Sequence, residues 1–144
     1  MRMVKNPETT RQLRYVRALL DGDDAAAFAV AEEMLLARRT LADIYLRLIT
    51  PALTTVGRLW CDGEIGVGLE RLASHLALKH MGRLCGSFPV EEQQVPLRAL
   101  ICCIQGEHQC IGARMAADLF LAKGWSVDFL GADVPTPSLL ETVR

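Results

Sequence analysis

An imidazole, a carboxylate, a carboxamide and a thiol follow one another between two glycines in Gly106-Glu107-His108-Gln109-Cys110-Ile111-Gly112. These side chains could bind a polar ligand or donate to a metal. Backbone N–H groups at the start of a helix can hold polar or anionic groups, and a thiol at a helix N-terminus can be reactive. The loop lies between a buried-strand pattern, Leu97 to Ile104, and a helix pattern, Ile111 to Lys123. Strand, tight polar loop and helix is where open α/β sheets place a ligand. The bland reading is that Gly106 and Gly112 serve a tight turn and close helix–sheet packing. No Ser–His–Asp, Cys–His or paired-carboxylate arrangement stands out, so the chain is not expected to be an enzyme in its own right.

The elements that must position this loop fall into two kinds. The first 86 residues read as helices: Arg11 to Leu20 with Leu13, Val16, Leu19 and Leu20 on one side, Asp24 to Arg38, Leu41 to Trp60 with a kink at Pro51, and Val67 to Leu84. An aspartate of Asp21-Gly22-Asp23 can cap the second helix. Short connections between long helices predict a four-helix bundle. Residues 87–96, with Pro89, Pro96 and four consecutive Glu and Gln side chains, read as a linker. The pattern from 97 to 144 is α/β: strand Leu97–Ile104, helix Ile111–Lys123, strand Ser126–Leu130, loop Gly131–Pro137 and a helix starting near Ser138. The two strands should be parallel. A doubly wound sheet needs more strands than two, so the second domain, 97–144, is expected to be a fragment truncated after its second strand. A second copy completing the sheet is the alternative.

Composition narrows the classes. The chain has 144 residues, 51% of them hydrophobic, and a net charge of −1. Nothing suggests a nucleic-acid surface, and no basic run alternates with aromatics. No signal peptide or apolar stretch of membrane-spanning length appears. The five cysteines lack the paired spacing of a zinc site. Cys102 and Cys103 read as small apolar residues of a buried strand. A cytoplasmic location with reduced thiols is the expectation.

The order of helices, linker and strand–loop–helix resembles the cobalamin-binding modules of corrinoid proteins. That resemblance implies a Rossmann-like, flavodoxin-like domain after the helical one, with the corrinoid between them. In the family the loop holds an acidic residue, a histidine that is the lower ligand of cobalt, and a glycine. Aligned on Gly112, Glu107 takes the acidic position and Gln109 falls where the histidine belongs. His108 is one residue early. A carboxamide oxygen is a weaker donor to cobalt than imidazole.

A second stretch, Trp60-Cys61-Asp62-Gly63-Glu64-Ile65-Gly66-Val67-Gly68-Leu69-Glu70-Arg71, is similar to the upper-face cap of the light-responsive, MerR-like cobalamin-dependent regulators. The resemblance implies that Trp60, Val67 and Glu70 cover the corrin; Arg71 stands in place of the capping histidine. His75 is a candidate substitute, whereas His80 reads as surface. Leu130-Gly131-Ala132-Asp133-Val134-Pro135 resembles the loop that lines the pocket for the nucleotide tail, which implicates Asp133.

Taken together, the resemblance implies a homo-oligomeric sensory module that binds adenosylcobalamin or methylcobalamin and controls transcription or signalling in response to light or ligand. The alternative from another class is a corrinoid methyl carrier for partner methyltransferases. A third is a dimerisation module whose cofactor site is lost or has turned to a bilin or other tetrapyrrole.

Overall fold

The structure, a computed structural model, describes residues 7–143. These fall into two compact units, divided between Leu84 and Cys85.

The first unit is helical. Helix α1 spans Pro7–Leu20 and α2 spans Asp24–Leu36. A continuous helical run follows: α3 (Leu41–Ile44), a π-helical turn (Tyr45–Ile49) and α4 (Thr50–Cys61). Helix α5 runs from Val67 to Cys85. Start signals are local. The Asp23 carboxylate accepts from the Ala26 N–H at 2.9 Å, and Thr40 and Asp43 form a reciprocal capping box. Helix α2 stops two residues sooner than Arg38, which adopts a left-handed φ of 56°.

The buried face of α1 differs from expectation. Tyr15, Val16, Ala18 and Leu19 are buried, while Leu13 is exposed. Pro51 does more than kink its helix. A proline has no N–H to give to the carbonyl four residues back and its ring crowds that carbonyl. Here that carbonyl belongs to Arg47, and the Gln12 side-chain amide of α1 donates to it at 2.8 Å. The backbone widens into the π-helical turn, where the Thr50 N–H reaches the Tyr45 carbonyl. Ile44, Tyr45, Leu48, Ile49, Ala52 and Val56 face the core from this run.

The second unit holds two parallel strands and two helices. Strand β1 spans Arg98–Ile104 and β2 spans Ser126–Val134, with α6 (Ile111–Ala122) between them and α7 (Thr136–Thr142) after. Strand β2 continues through residues expected as a loop. Its register against β1 slips twice, between Ile101 and Cys102 and again before Ile104, so that Gly131 and Val134 still find partners. Such irregularity bends a strand without ending it.

Residues 87–96, expected as a linker, group with this unit. The Glu91 N–H donates to the Ala122 carbonyl at 3.0 Å, its carboxylate meets Lys123 at 2.7 Å, and the Gln93 amide donates to the Lys123 carbonyl. Gly124, at φ 82°, ends α6; a Cβ there would run into the Glu91 carbonyl oxygen.

Candidate functional site

The loop between β1 and α6 is built from hydrogen bonds to its own backbone. Gly106, at φ 87°, turns the chain out of β1, and the Glu107 N–H donates back to the Ile104 carbonyl at 3.0 Å. The Glu107 carboxylate then accepts the Gln109 N–H at 2.7 Å. Asp133 ties the end of β2 to the same loop. Its carboxylate accepts the Gly106 N–H at 2.8 Å, and its own N–H donates to the Glu107 carbonyl at 2.9 Å. Asp133 does this from a left-handed φ of 53°, a region that aspartate tolerates better than most residues. Three of the residues singled out from sequence, Glu107, Gln109 and Asp133, are thereby brought into one network.

His108 and Gln109 are both exposed, and neither side chain has a hydrogen-bond partner among the described residues. Beneath them, the Cys103 thiol donates to the Gln109 carbonyl at 3.6 Å, and burial pushes that thiol up from its ordinary pKa. The N-cap of α6, Cys110, makes no side-chain cap, so the first N–H groups of the helix stay open. Gly112 has nothing within contact distance of an added Cβ. Tight helix–sheet packing therefore does not explain this glycine, and the space over it is available to a ligand. Gly106 does serve a turn.

The first unit presents a different surface. Trp60, near the end of α4, is 45% exposed, and Val67, the first residue of α5, is 49% exposed. The turn joining them is closed by the Gly63 N–H to the Trp60 carbonyl at 3.0 Å and by the Glu64 N–H to the Leu59 carbonyl at 2.9 Å. Leu69 and Leu72 extend the apolar exposure along α5. Val67 and Glu70 share a face, being three residues apart. The Glu70 carboxylate accepts from the Ser74 hydroxyl at 3.0 Å. Arg71 is exposed, and its carbonyl lies 2.8 Å from His75 Nδ1. His75 is thus anchored to its own helix through one ring nitrogen.

His80 is a correction. It is fully buried, not on the surface. Its Nδ1 lies 2.8 Å from the Tyr15 hydroxyl and its Nε2 lies 3.0 Å from Asp24 Oδ1. A signal for this existed in the spacing. Ala73, Ala77, Met81 and Leu84 mark the buried stripe of α5, and position 80 falls within it.

Each of these surfaces, taken by itself, carries groups suited to a corrinoid. One surface offers an indole and aliphatic side chains to a flat macrocycle. The other offers an imidazole, a carboxamide, open helix N–H groups and an unfilled space at Gly112. On the second surface, one oxygen of the Glu107 carboxylate is already engaged with the Gln109 N–H.

Comparison with known proteins points the same way. Residues 12–84 match a family described as the B12 binding domain. The fold is similar to that of the Methanosarcina barkeri monomethylamine corrinoid protein, with a TM-score of 0.72 and 18% identity, covering 94% of this chain and 63% of that one. It is also similar to the methanol:cobalamin methyltransferase complex from Methanosarcina barkeri, with a TM-score of 0.55 and 19% identity, covering 95% of this chain and 53% of that one. The chain thus spans less than two thirds of these structures' own length. No curated protein matches it significantly.

Proposed function

The chain belongs to the B12 binding domain family, and on that premise we propose that it is a corrinoid carrier serving a separate methyltransferase. The single observation behind this reading is the family match over 12–84, the span that contains the exposed Trp60–Val67–Glu70 surface. The fold likeness to a monomethylamine corrinoid protein and to a methyltransferase complex supports the carrier over other corrinoid roles.

A bound corrinoid would supply a cobalt centre able to hold and release a methyl group. The chain's own residues do the rest. On the helical unit, Trp60, Val67 and Leu69 would offer the ligand an apolar surface, and Glu70, kept in place by Ser74, would offer a polar group. On the α/β unit, taken by itself, His108 would be the stronger nitrogen donor to a metal and Gln109 the weaker oxygen donor. Asp133 and Glu107 hold that loop in shape, and the open space at Gly112 admits part of the ligand. Catalysis then belongs to the partner enzyme.

The experiment is retention through a methylation cycle. The chain is loaded with hydroxocobalamin, reduced with titanium(III) citrate, treated with methyl iodide and passed over a desalting column. A carrier elutes with the visible spectrum of methylcobalamin. Loss of the corrinoid on reduction contradicts the carrier.

The exposed Trp60 with Val67 and Glu70 at the spacing of an upper-face cap favours a second reading, the light-responsive sensor. It predicts that illuminating the adenosylcobalamin-loaded chain changes its mass in light scattering. An unchanged mass argues for the carrier.

A further inference from the structure

One polar cluster of the helical unit has no part in the ligand surfaces. Asp24, the first residue of α2, divides its carboxylate between two side chains of α5: Oδ2 lies 2.7 Å from Lys79 Nζ and Oδ1 lies 3.0 Å from His80 Nε2. The other nitrogen of the His80 ring lies 2.8 Å from the Tyr15 hydroxyl of α1. Tyr15 and His80 are both fully buried. A carboxylate only accepts, so Nε2 carries the proton. The neutral ring then accepts the tyrosine proton at Nδ1, and every member of the chain is satisfied. Phe28 of α2 packs on the same ring, and Arg83 of α5 lies over the Phe28 face at 3.3 Å.

The charges facing His80 are therefore Asp24 from α2 and Lys79 and Arg83 from its own helix, with Tyr15 from α1. A proton added at Nδ1 would create a buried cation that feels Lys79 and Arg83, with Asp24 as the one carboxylate facing it. It would also leave the Tyr15 hydroxyl proton without its acceptor. Burial, opposed by Asp24, lowers the ring's affinity for a proton. Stability lent by such a group is complete above the ordinary histidine pKa of about 6.5 and drains away as pH falls.

We propose that Tyr15, His80, Asp24 and Lys79 form an acid-sensitive latch that fixes the C-terminal half of α5 to α1 and α2. Protonating His80 loosens it. The other end of α5 carries Val67 and Glu70, so on the corrinoid reading acid also loosens the ligand surface. That link rests on the proposed function; the latch does not, and it is tested without cofactor.

The test is amide hydrogen exchange of the full chain at pH 7.5 and 5.5, corrected for intrinsic exchange rates. Protection of residues 76–85 should drop up to about tenfold at the lower pH, the limit set by one pH unit below an ordinary imidazole pKa. His80→Gln, whose amide can both accept from Tyr15 and donate to Asp24, should abolish that drop. Equal protection at both pH values in the native chain, or the same drop in the variant, overturns the latch. If His80→Gln does not fold, ring-nitrogen NMR of the native chain decides. A neutral Nε2–H ring that titrates below the ordinary histidine pKa of about 6.5 supports the latch, and a ring charged at pH 7 refutes it.

Discussion

The helical unit and the α/β unit differ most in how much they bury. In the first, Tyr15, Leu19, Ile44, Tyr45, Leu48, Ile49, Met81 and Leu84 are almost wholly withdrawn from solvent. In the second, only Cys103, Ala117 and Asp118 count as buried among the described residues. One helix packed on a pair of strands leaves much of the sheet half-exposed, whereas helices enclosing a common centre do not. The family match stops at residue 84, where the well-buried unit stops. Stability and family identity thus reside in one part of the chain, and the loop chemistry in the other.

The sharpest way to break this contrast is a pair of truncations. Leu48→Ala should cost the helical unit about 2–5 kcal/mol, the range for a fully buried leucine. Leu100→Ala, on a half-buried strand position, should cost about 1 kcal/mol. Each unit contains one tryptophan, Trp60 and Trp125. Urea unfolding followed by fluorescence in Trp125→Phe and Trp60→Phe backgrounds therefore reads the two units separately. Similar losses in both would mean that the cores are equivalent.

Gly124→Ala probes the α/β unit next. The left-handed backbone alone penalises a side chain by about 1–2 kcal/mol, and the collision with the Glu91 carbonyl adds to it. The Trp125 transition should move to lower urea while the Trp60 transition stays in place. A common shift would show that the units unfold together.

Asp23→Ala should be as mild as Leu100→Ala. It removes the acceptor for the Ala26 N–H and should cost the helical unit about 1 kcal/mol, read in the Trp60 transition. An effect below the error of that transition would show the cap to be replaceable by water.

What could be read from sequence was what is decided within a few residues. The Asp23 cap, the strand–loop–helix around Gly106 and the break between the helices ending near Trp60 and starting at Val67 all follow from local residue types. The rest depends on partners far along the chain. The π-helical turn needs Gln12 to take up the carbonyl that Pro51 leaves, 35 residues away. The burial of His80 needs Tyr15 and Asp24, more than 50 residues earlier. Strand β2 runs on to Val134 because β1 offers it Ile104 and because Asp133 bonds the Glu107 loop, neither of which shows in the Leu130–Pro135 stretch alone. Of the ligand surface, residue types were legible. The engagement of Glu107 with the Gln109 N–H was not, because a carboxylate in a loop can accept from many different N–H donors.

The most direct test of the account is equilibrium ultrafiltration of methylcobalamin with the native chain and with Trp60→Ala. The native chain should retain one corrinoid per molecule. Removing the indole should weaken binding by about tenfold, the equivalent of roughly 1.4 kcal/mol of lost apolar contact. No retention by the native chain, or identical affinity in the two proteins, would contradict it.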